Sequence, residues 1–237
     1  MIETQQYLFD LNGYLVVEDV LSPALLKTLN ERIDAQNLAD KDQIQRIGSA
    51  AGGAPQCPGF LQCGQEFCDL LDHEAILPIL RFRLGDCFRL DRLYGIRMRP
   101  GTPRGGLHAD YGVSAIGSAA TPGERYHPPE HILHTGFVVV AWNLTDAGPD
   151  QDGFCCIPGS HKTDYPLPRS IFEAHEKADC VIMPDAPAGS VTLFTEALTH
   201  GTAPWRATHE RRCILYKYVG FSPGHRAWPR SIELILN

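Results

Sequence analysis

The sequence predicts a mainly β protein, a sandwich or jelly roll with helices packed at its N-terminal end. Short apolar runs of strand character recur through the second half of the 237-residue chain, separated by Gly- and Pro-bearing turns every ten or so residues. Strands do not alternate with helical stretches, as βαβ units require. Helical spacing is confined to about residues 22–80, which leaves about 82–220 as the β core of a single domain spanning 1–237.

Gly13-Tyr14-Leu15-Val16-Val17 reads as a first short strand. Ser22 is placed to cap a helix with Pro23 in its first turn, and Leu25, Leu26, Leu29 and Ile33 follow at helical spacing for about four turns. Residues 47–58, rich in Gly, Ala and Pro, read as a loop. Leu61 to Leu80 reads as mainly helical. From Phe88 to Arg99 the chain alternates, with Phe88, Leu90, Tyr94, Ile96 and Met98 expected on one face. Strands are then expected at 137–142, 154–157, 181–183, 191–194 and 213–219. Internal repeats, heptads and low-complexity tracts do not occur.

A net charge of -7 and a pI near 5.8 give no basic footprint for nucleic acid or an anionic membrane surface. No apolar run reaches the roughly 18 residues of a membrane span, and the first residues lack a signal peptide's basic and apolar regions, so the expected setting is cytoplasmic. The eight cysteines are scattered without CxxC pairs and read as buried reduced thiols.

The chemistry is concentrated in Leu107-His108-Ala109-Asp110 and, much later, Thr199-His200-Gly201-Thr202. A His and an Asp two residues apart on an extended chain point the same way, and both reach one metal ion from one side. His200 completes two imidazoles and one carboxylate, leaving the opposite face open as in non-haem Fe(II) oxygenases. His108-Ala109-Asp110 follows a strand and a Gly105-Gly106 turn, and His200 follows the strand at 191–194. Arg211 lies 11 residues past His200 at the start of another strand.

The order of these motifs resembles the phytanoyl-CoA dioxygenase family of Fe(II)/2-oxoglutarate-dependent oxygenases. Phe9 to Ser22 resembles that family's opening strand and helix cap. Trp142 to Asp146, Asp152-Gly153-Phe154 and Ile157-Pro158-Gly159-Ser160-His161-Lys162 resemble its central hairpin, and Arg211-Arg212 its cosubstrate motif. The resemblance implies a double-stranded β-helix, the cupin-like jelly roll, with the site in its open mouth. It implies Fe(II) on His108, Asp110 and His200, with 2-oxoglutarate chelating the metal and O2 as second cosubstrate. The far carboxylate of 2-oxoglutarate needs a planar cation, and an Arg offers a two-pronged fork that Lys lacks. Arg211 has the family's spacing; Arg212 is its rival, since adjacent strand residues face opposite ways. Thr202 is placed to donate to the same carboxylate, Trp142 matches a cosubstrate-lining position, and Tyr94 is placed to offer a phenol.

The expected reaction is oxidation of a C–H bond of a small organic molecule, by default hydroxylation, with release of succinate and CO2. A carboxylate at Asp110 marks oxygenation, because a related halogenase leaves that position vacant for a halide. The competing readings are a cupin-like Zn or Mn protein without 2-oxoglutarate and a jelly-roll module that binds without turnover. His127, His131 and His134 read as loop or core histidines, and Ser160-His161 as part of a hairpin turn rather than a hydrolase dyad. Were Arg97, Arg99 or Arg104 to rim the pocket, an anionic substrate would follow. Loops at 46–60, 112–131 and 161–178 are expected to frame the pocket and set selectivity.

Overall fold

The computed structural model of the chain describes residues 2–36, 45–47, 60–110, 136–173 and 177–220. Helix α1 (Ile2–Asn12) leads into strand β1 (Tyr14–Val17) and helix α2 (Pro23–Asp34). A short strand β2 (Gln45–Ile47), helices α3 (Gln65–Asp69) and α4 (Leu77–Leu84) and the long strand β3 (Phe88–Met98) follow. The remainder is β4 (Phe137–Asn143), β5 (Phe154–Cys156), helix α5 (Arg169–Glu173), β6 (Val191–Thr195), β7 (His200–Thr202) and β8 (Arg211–Gly220). Six strands form an antiparallel sheet in the order β1-β6-β4-β8-β3-β2. A smaller sheet pairs β5 with β7 and is widened by single bridges from His108 to His200 and from Cys156 to Ile182. The two sheets enclose the cavity described below. This is the jelly roll expected from the turn spacing.

Period-two alternation divides the large sheet into two faces. Val138, Val140 and Trp142 of β4, Val191 and Leu193 of β6, and Ile214, Tyr216 and Tyr218 of β8 pack beneath the helices with Leu29, Ile33, Phe67 and Leu80. Val139, Ala141, Phe194, Cys213 and Leu215 form the opposite face. The tyrosines also tie the layers together by hydrogen bonds: Tyr216 Oη donates to Phe67 O at 2.7 Å and Tyr218 Oη to Leu71 O at 2.8 Å. Ser22 Oγ accepts from Leu25 N at 3.2 Å as the cap of α2, with Pro23 opening the helix as expected.

Several local expectations need correction. Leu61–Leu80 is not one helix: a 3-10 turn at Phe60–Gln62, α3 and α4 share it, and Pro78 sits in the first turn of α4 because its ring is excluded from a helix interior. Residues 181–183 contribute only the Ile182 bridge rather than a strand. Strand β3 does not keep one apolar face, because its pairing with β8 slips between Leu90 and Arg92. Phe88, Leu90 and Leu93 pack under the helices, while Tyr94 and Ile96 lie on the other face. The extra residue of a β-bulge reverses the parity. Among the described cysteines Cys155, Cys156 and Cys213 are buried as expected, but Cys87 and Cys180 are exposed. Cys57, the histidines at 127, 131 and 134, and the loops at 48–59 and 112–131 lie outside the described residues. No helix among the described residues is long and apolar enough to cross a membrane.

Candidate active site

His108 and His200 are partners across an antiparallel rung. His108 N donates to His200 O and His200 N to His108 O, each at 2.8 Å. Residues directly opposed in such a pair project to the same side, and the two ring centroids stand 4.6 Å apart. His108 Nδ1 lies 3.0 Å from Gly106 O and His200 Nδ1 2.8 Å from Leu198 O. Those carbonyls fix Nδ1 as the protonated nitrogen and leave each Nε2 as a bare donor, the tautomer a metal-ligating imidazole takes. Burial pushes the His200 pKa down to about 4, against the pull of Asp110, so the ring is neutral at neutral pH.

The close approach of these strands depends on Gly201. A Cβ there would come within 2.8 Å of Gly106 O and 3.3 Å of Leu107 Cα. Two residues past His108, Asp110 is anchored through its amide to Glu196 O at 2.9 Å. Its Oδ2 pairs with Lys217 Nζ at 2.8 Å. Burial pulls the Asp110 carboxyl upward, but Lys217 and the neighbouring His200 outweigh it, and the net direction is down. Among the described residues no three His, Cys, Asp or Glu side chains are drawn together into a ready-made metal cluster. The two imidazoles and the carboxylate nevertheless line one cavity of about 450 Å³. Two imidazoles and one carboxylate on a shared wall are a donor set that suits Fe(II).

The same cavity is lined by Arg211, the first residue of β8. It is 3% exposed; its Nε has no hydrogen-bond partner, and Nη1 reaches only Met98 Sδ at 3.5 Å. No ion pair to it forms among the described residues. Burying a guanidinium without a counter-charge is costly, so such a group is built to meet an anion. Gly153, at φ 97, makes room: a Cβ there would strike Arg211 Cδ at 2.9 Å. Thr202 lines the same cavity, and its Oγ1 accepts from Gly105 N at 2.9 Å, which leaves the hydroxyl proton to donate elsewhere.

Arg212 faces the other way, held by Asp34 at 2.6 Å and Glu210 at 2.6 Å. Alternation along β8 thus separates the two arginines as expected. Tyr94 lines the cavity. Trp142 does not: it lies fully buried beneath the helices, edge-on to His73 with centroids 5.5 Å apart. Its neighbours Ala141 and Asn143 take the cavity face instead, so the cosubstrate-lining expectation for Trp142 is corrected by strand parity. Arg97 pairs with Glu210 and Arg104 Nη2 donates to Glu173 O at 2.7 Å. Neither these nor Arg99 lines the cavity, and that ground for an anionic substrate falls away. Ser160 Oγ accepts from Thr199 N and His161 Nε2 bonds Asp10 O, both structural ties.

Sequence reasoning missed Asn143, Phe154, Phe194 and Lys217. Lys217 was detectable, since it lies an even number of residues past Arg211 on the same strand. Asn143 is 4% exposed and donates from Nδ2 to Ser190 Oγ at 3.1 Å and Thr192 Oγ1 at 3.0 Å. Phe194 and Phe154 stack near His200, with centroids 4.7 and 6.1 Å from its ring.

The family model described as Phytanoyl-CoA dioxygenase (PhyH) matches residues 9–213, which takes in His108, Asp110, His200, Thr202 and Arg211. The chain belongs to the phytanoyl-CoA dioxygenase family. That family comprises Fe(II)-, 2-oxoglutarate- and O2-using dioxygenases. "Dioxygenase cdmD" of Talaromyces verruculosus is 24% identical over 160 residues, 66% of this chain and 47% of that one. The chain therefore spans about half the length of the curated relative it matches. Among solved structures, HygX of Streptomyces hygroscopicus with nickel and 2-oxoglutarate bound superposes with a TM-score of 0.73 at 22% identity. The superposition covers 92% of this chain and 86% of that one. HygX with nickel, 2-oxoglutarate and hygromycin B bound gives 0.72 at 22% identity over the same shares, and HygX with iron bound 0.71 at 20%. At these identities the likeness establishes the jelly-roll fold.

Proposed function

We propose that the protein is an Fe(II)/2-oxoglutarate-dependent dioxygenase that hydroxylates a C–H bond of a small organic molecule, with one catalytic domain carrying the whole reaction. The observation that carries this reading is the buried Arg211 guanidinium, without an ion pair among the described residues, sharing a cavity with two imidazoles and a carboxylate.

In this reading His108, Asp110 and His200 hold Fe(II), and Arg211 takes the far carboxylate of 2-oxoglutarate through a two-pronged pair, helped by the Thr202 hydroxyl. When bound, the iron and its cosubstrates supply the oxidising chemistry, with O2 consumed and succinate and CO2 released. The chain's own contribution is placement and exclusion of water. Gly106 O and Leu198 O keep the two imidazoles in the ligating tautomer. Phe154, Phe194, Ile96 and Leu215 give the cavity apolar walls, which strengthen the Arg211–carboxylate attraction by keeping water out. Tyr94 stands on the same wall, available to the cosubstrate. Asp110 retains a carboxylate where a halogenase would need space for a halide, which favours oxygenation. HygX is seen with hygromycin B, so a cavity of this fold admits a small organic molecule, and we assign the same broad substrate class here.

The test is anaerobic addition of Fe(II) and 2-oxoglutarate, followed by visible absorption. A weak charge-transfer band is expected in the wild type and in Arg212→Ala but not in Arg211→Ala. Absence of the band in the wild type would sink the reading in favour of a metal protein without 2-oxoglutarate. In air, succinate release is expected and His108→Ala should abolish it; metal and cosubstrate binding without succinate would leave a binding module.

A further inference from the structure

Lys217 is a cation in a place that the fold alone does not call for. It lies near the middle of β8 on the face that carries Arg211, and it is 6% exposed. Its Nζ stands 2.8 Å from Asp110 Oδ2, with the Phe137 ring centroid 4.6 Å away and the Tyr94 ring 5.7 Å away. Burying an ammonium is unfavourable unless a partner offsets it. The carboxylate of the candidate metal triad offsets it, and among the described residues Oδ2 is the Asp110 oxygen that is engaged. The rings of Phe137 and Tyr94 add cation–π attraction and limit the ammonium's movement.

A carboxylate with both oxygens free ligates a cation through one or both of them. A triad that leaves half of an octahedron open needs one donor atom from each residue. With Oδ2 committed to Lys217, Oδ1 is the oxygen left for a metal. We propose that Lys217 is a positioning residue that holds Asp110 to single-oxygen ligation and so keeps open the positions a chelating 2-oxoacid requires. This rests on the Fe(II)/2-oxoglutarate reading above.

A merely structural lysine would affect metal and cosubstrate in the same direction; this role moves them in opposite directions. Co(II) is the probe, because its visible spectrum reports coordination number without turnover. Anaerobic titrations of Co(II), then of 2-oxoglutarate onto the Co(II)-loaded protein, are run on wild type, Lys217→Met and Lys217→Arg. In Lys217→Met, Co(II) should bind roughly tenfold tighter, since a competing cation is gone and a second oxygen is released, the scale of one charge-assisted hydrogen bond. 2-Oxoglutarate should bind roughly tenfold more weakly, and the Co(II) bands should change shape. Lys217→Arg, which keeps the cation, should return both values toward wild type. Co(II) affinity unchanged or weakened in Lys217→Met overturns the proposal, as does a cosubstrate affinity that follows the metal's. Should Lys217→Met fail to fold by its thermal melt, Lys217→Gln, uncharged but polar, carries the same titrations. The Co(II) step is read before any cosubstrate is added, so it judges Lys217 even if the wild type ignores 2-oxoglutarate, an outcome that would sink the parent reading by itself.

Discussion

Two buried titratable side chains outside the candidate triad, His161 and Glu196, push the pH response of the fold in opposite directions. His161 is 4% exposed, packed against Gly13, with Nε2 on Asp10 O and Nδ1 without a partner. Burial depresses its pKa from 6.5 to about 4. Below pH 6.5 the unfolded chain takes a proton that the native ring refuses until about pH 4, so this residue removes stability as pH falls through that window. Glu196 is 1% exposed, its Oε1 accepting from Gly136 N at 2.6 Å while Oε2 has no partner. Burial raises its pKa from 4.5 to about 7. It stays protonated in the native state while the unfolded chain ionises, so its stabilisation is full below pH 4.5 and is lost as pH rises through 7. Each shift corresponds to up to about 3 kcal/mol, so the slopes of these two residues largely cancel between pH 5 and 6.5, while the depressed His200 adds to the histidine side. Glu196→Gln, which keeps the Gly136 acceptor, should unmask the histidine: denaturant midpoints should then fall as pH drops from 7 to 5, and stability at pH 8 should exceed wild type. A wild-type-like profile in that variant would contradict the assignment.

At the scale of elements, the site depends on how closely the segment at 105–110 lies against β7. Gly201→Ala places a Cβ against the backbone oxygen of Gly106. It should cost about 1–3 kcal/mol in urea melts and weaken metal binding by at least tenfold. Gly101→Ala is the control: φ there is 82 but nothing lies within 4 Å of the added Cβ, so about 1 kcal/mol of backbone strain is expected with metal affinity intact. The elements also show what was readable beforehand. Strands β4, β6 and β8 were visible as apolar runs; alternation said that only one of Arg211 and Arg212 faces the cavity, and the family's spacing favoured Arg211. Alternation fails where a strand gains a residue, which is why the faces of β3 were assigned wrongly beyond Leu90. Helix α1 escaped notice because Tyr7, Leu8 and Leu11 are exposed while Phe9 is buried, so no inward apolar stripe marks it. Trp142 was misplaced because a motif names a position without saying which face it occupies. Alternation from Arg211 placed Lys217 on the cavity face, but its partner lies 107 residues away and could not be read from the strand.

For the whole molecule, the cavity joins residues from both sheets, so occupying it should stabilise the entire fold. A ligand at a hundred times its Kd adds about 2.7 kcal/mol, or about 5–10 °C in melting temperature for a chain of this size. Anaerobic melts should rise in two increments, one with Fe(II) and one with 2-oxoglutarate, and Arg211→Ala should keep the first and lose the second. Loss of both increments in that variant would mean Arg211 serves the fold rather than the cosubstrate.

The rung between His108 and His200 has a further consequence for timing. The same two residues that present the imidazoles also exchange both of their amide hydrogen bonds with each other, so opening this rung separates the ligands. The two amides are therefore a built-in clock for the state of the centre. In deuterated buffer they should exchange by local opening of the small sheet, and a bound cation should slow them more than the amides of β4 or β6 in the large sheet. Exchange of those two hydrogens would read metal loading directly from the backbone, without any turnover.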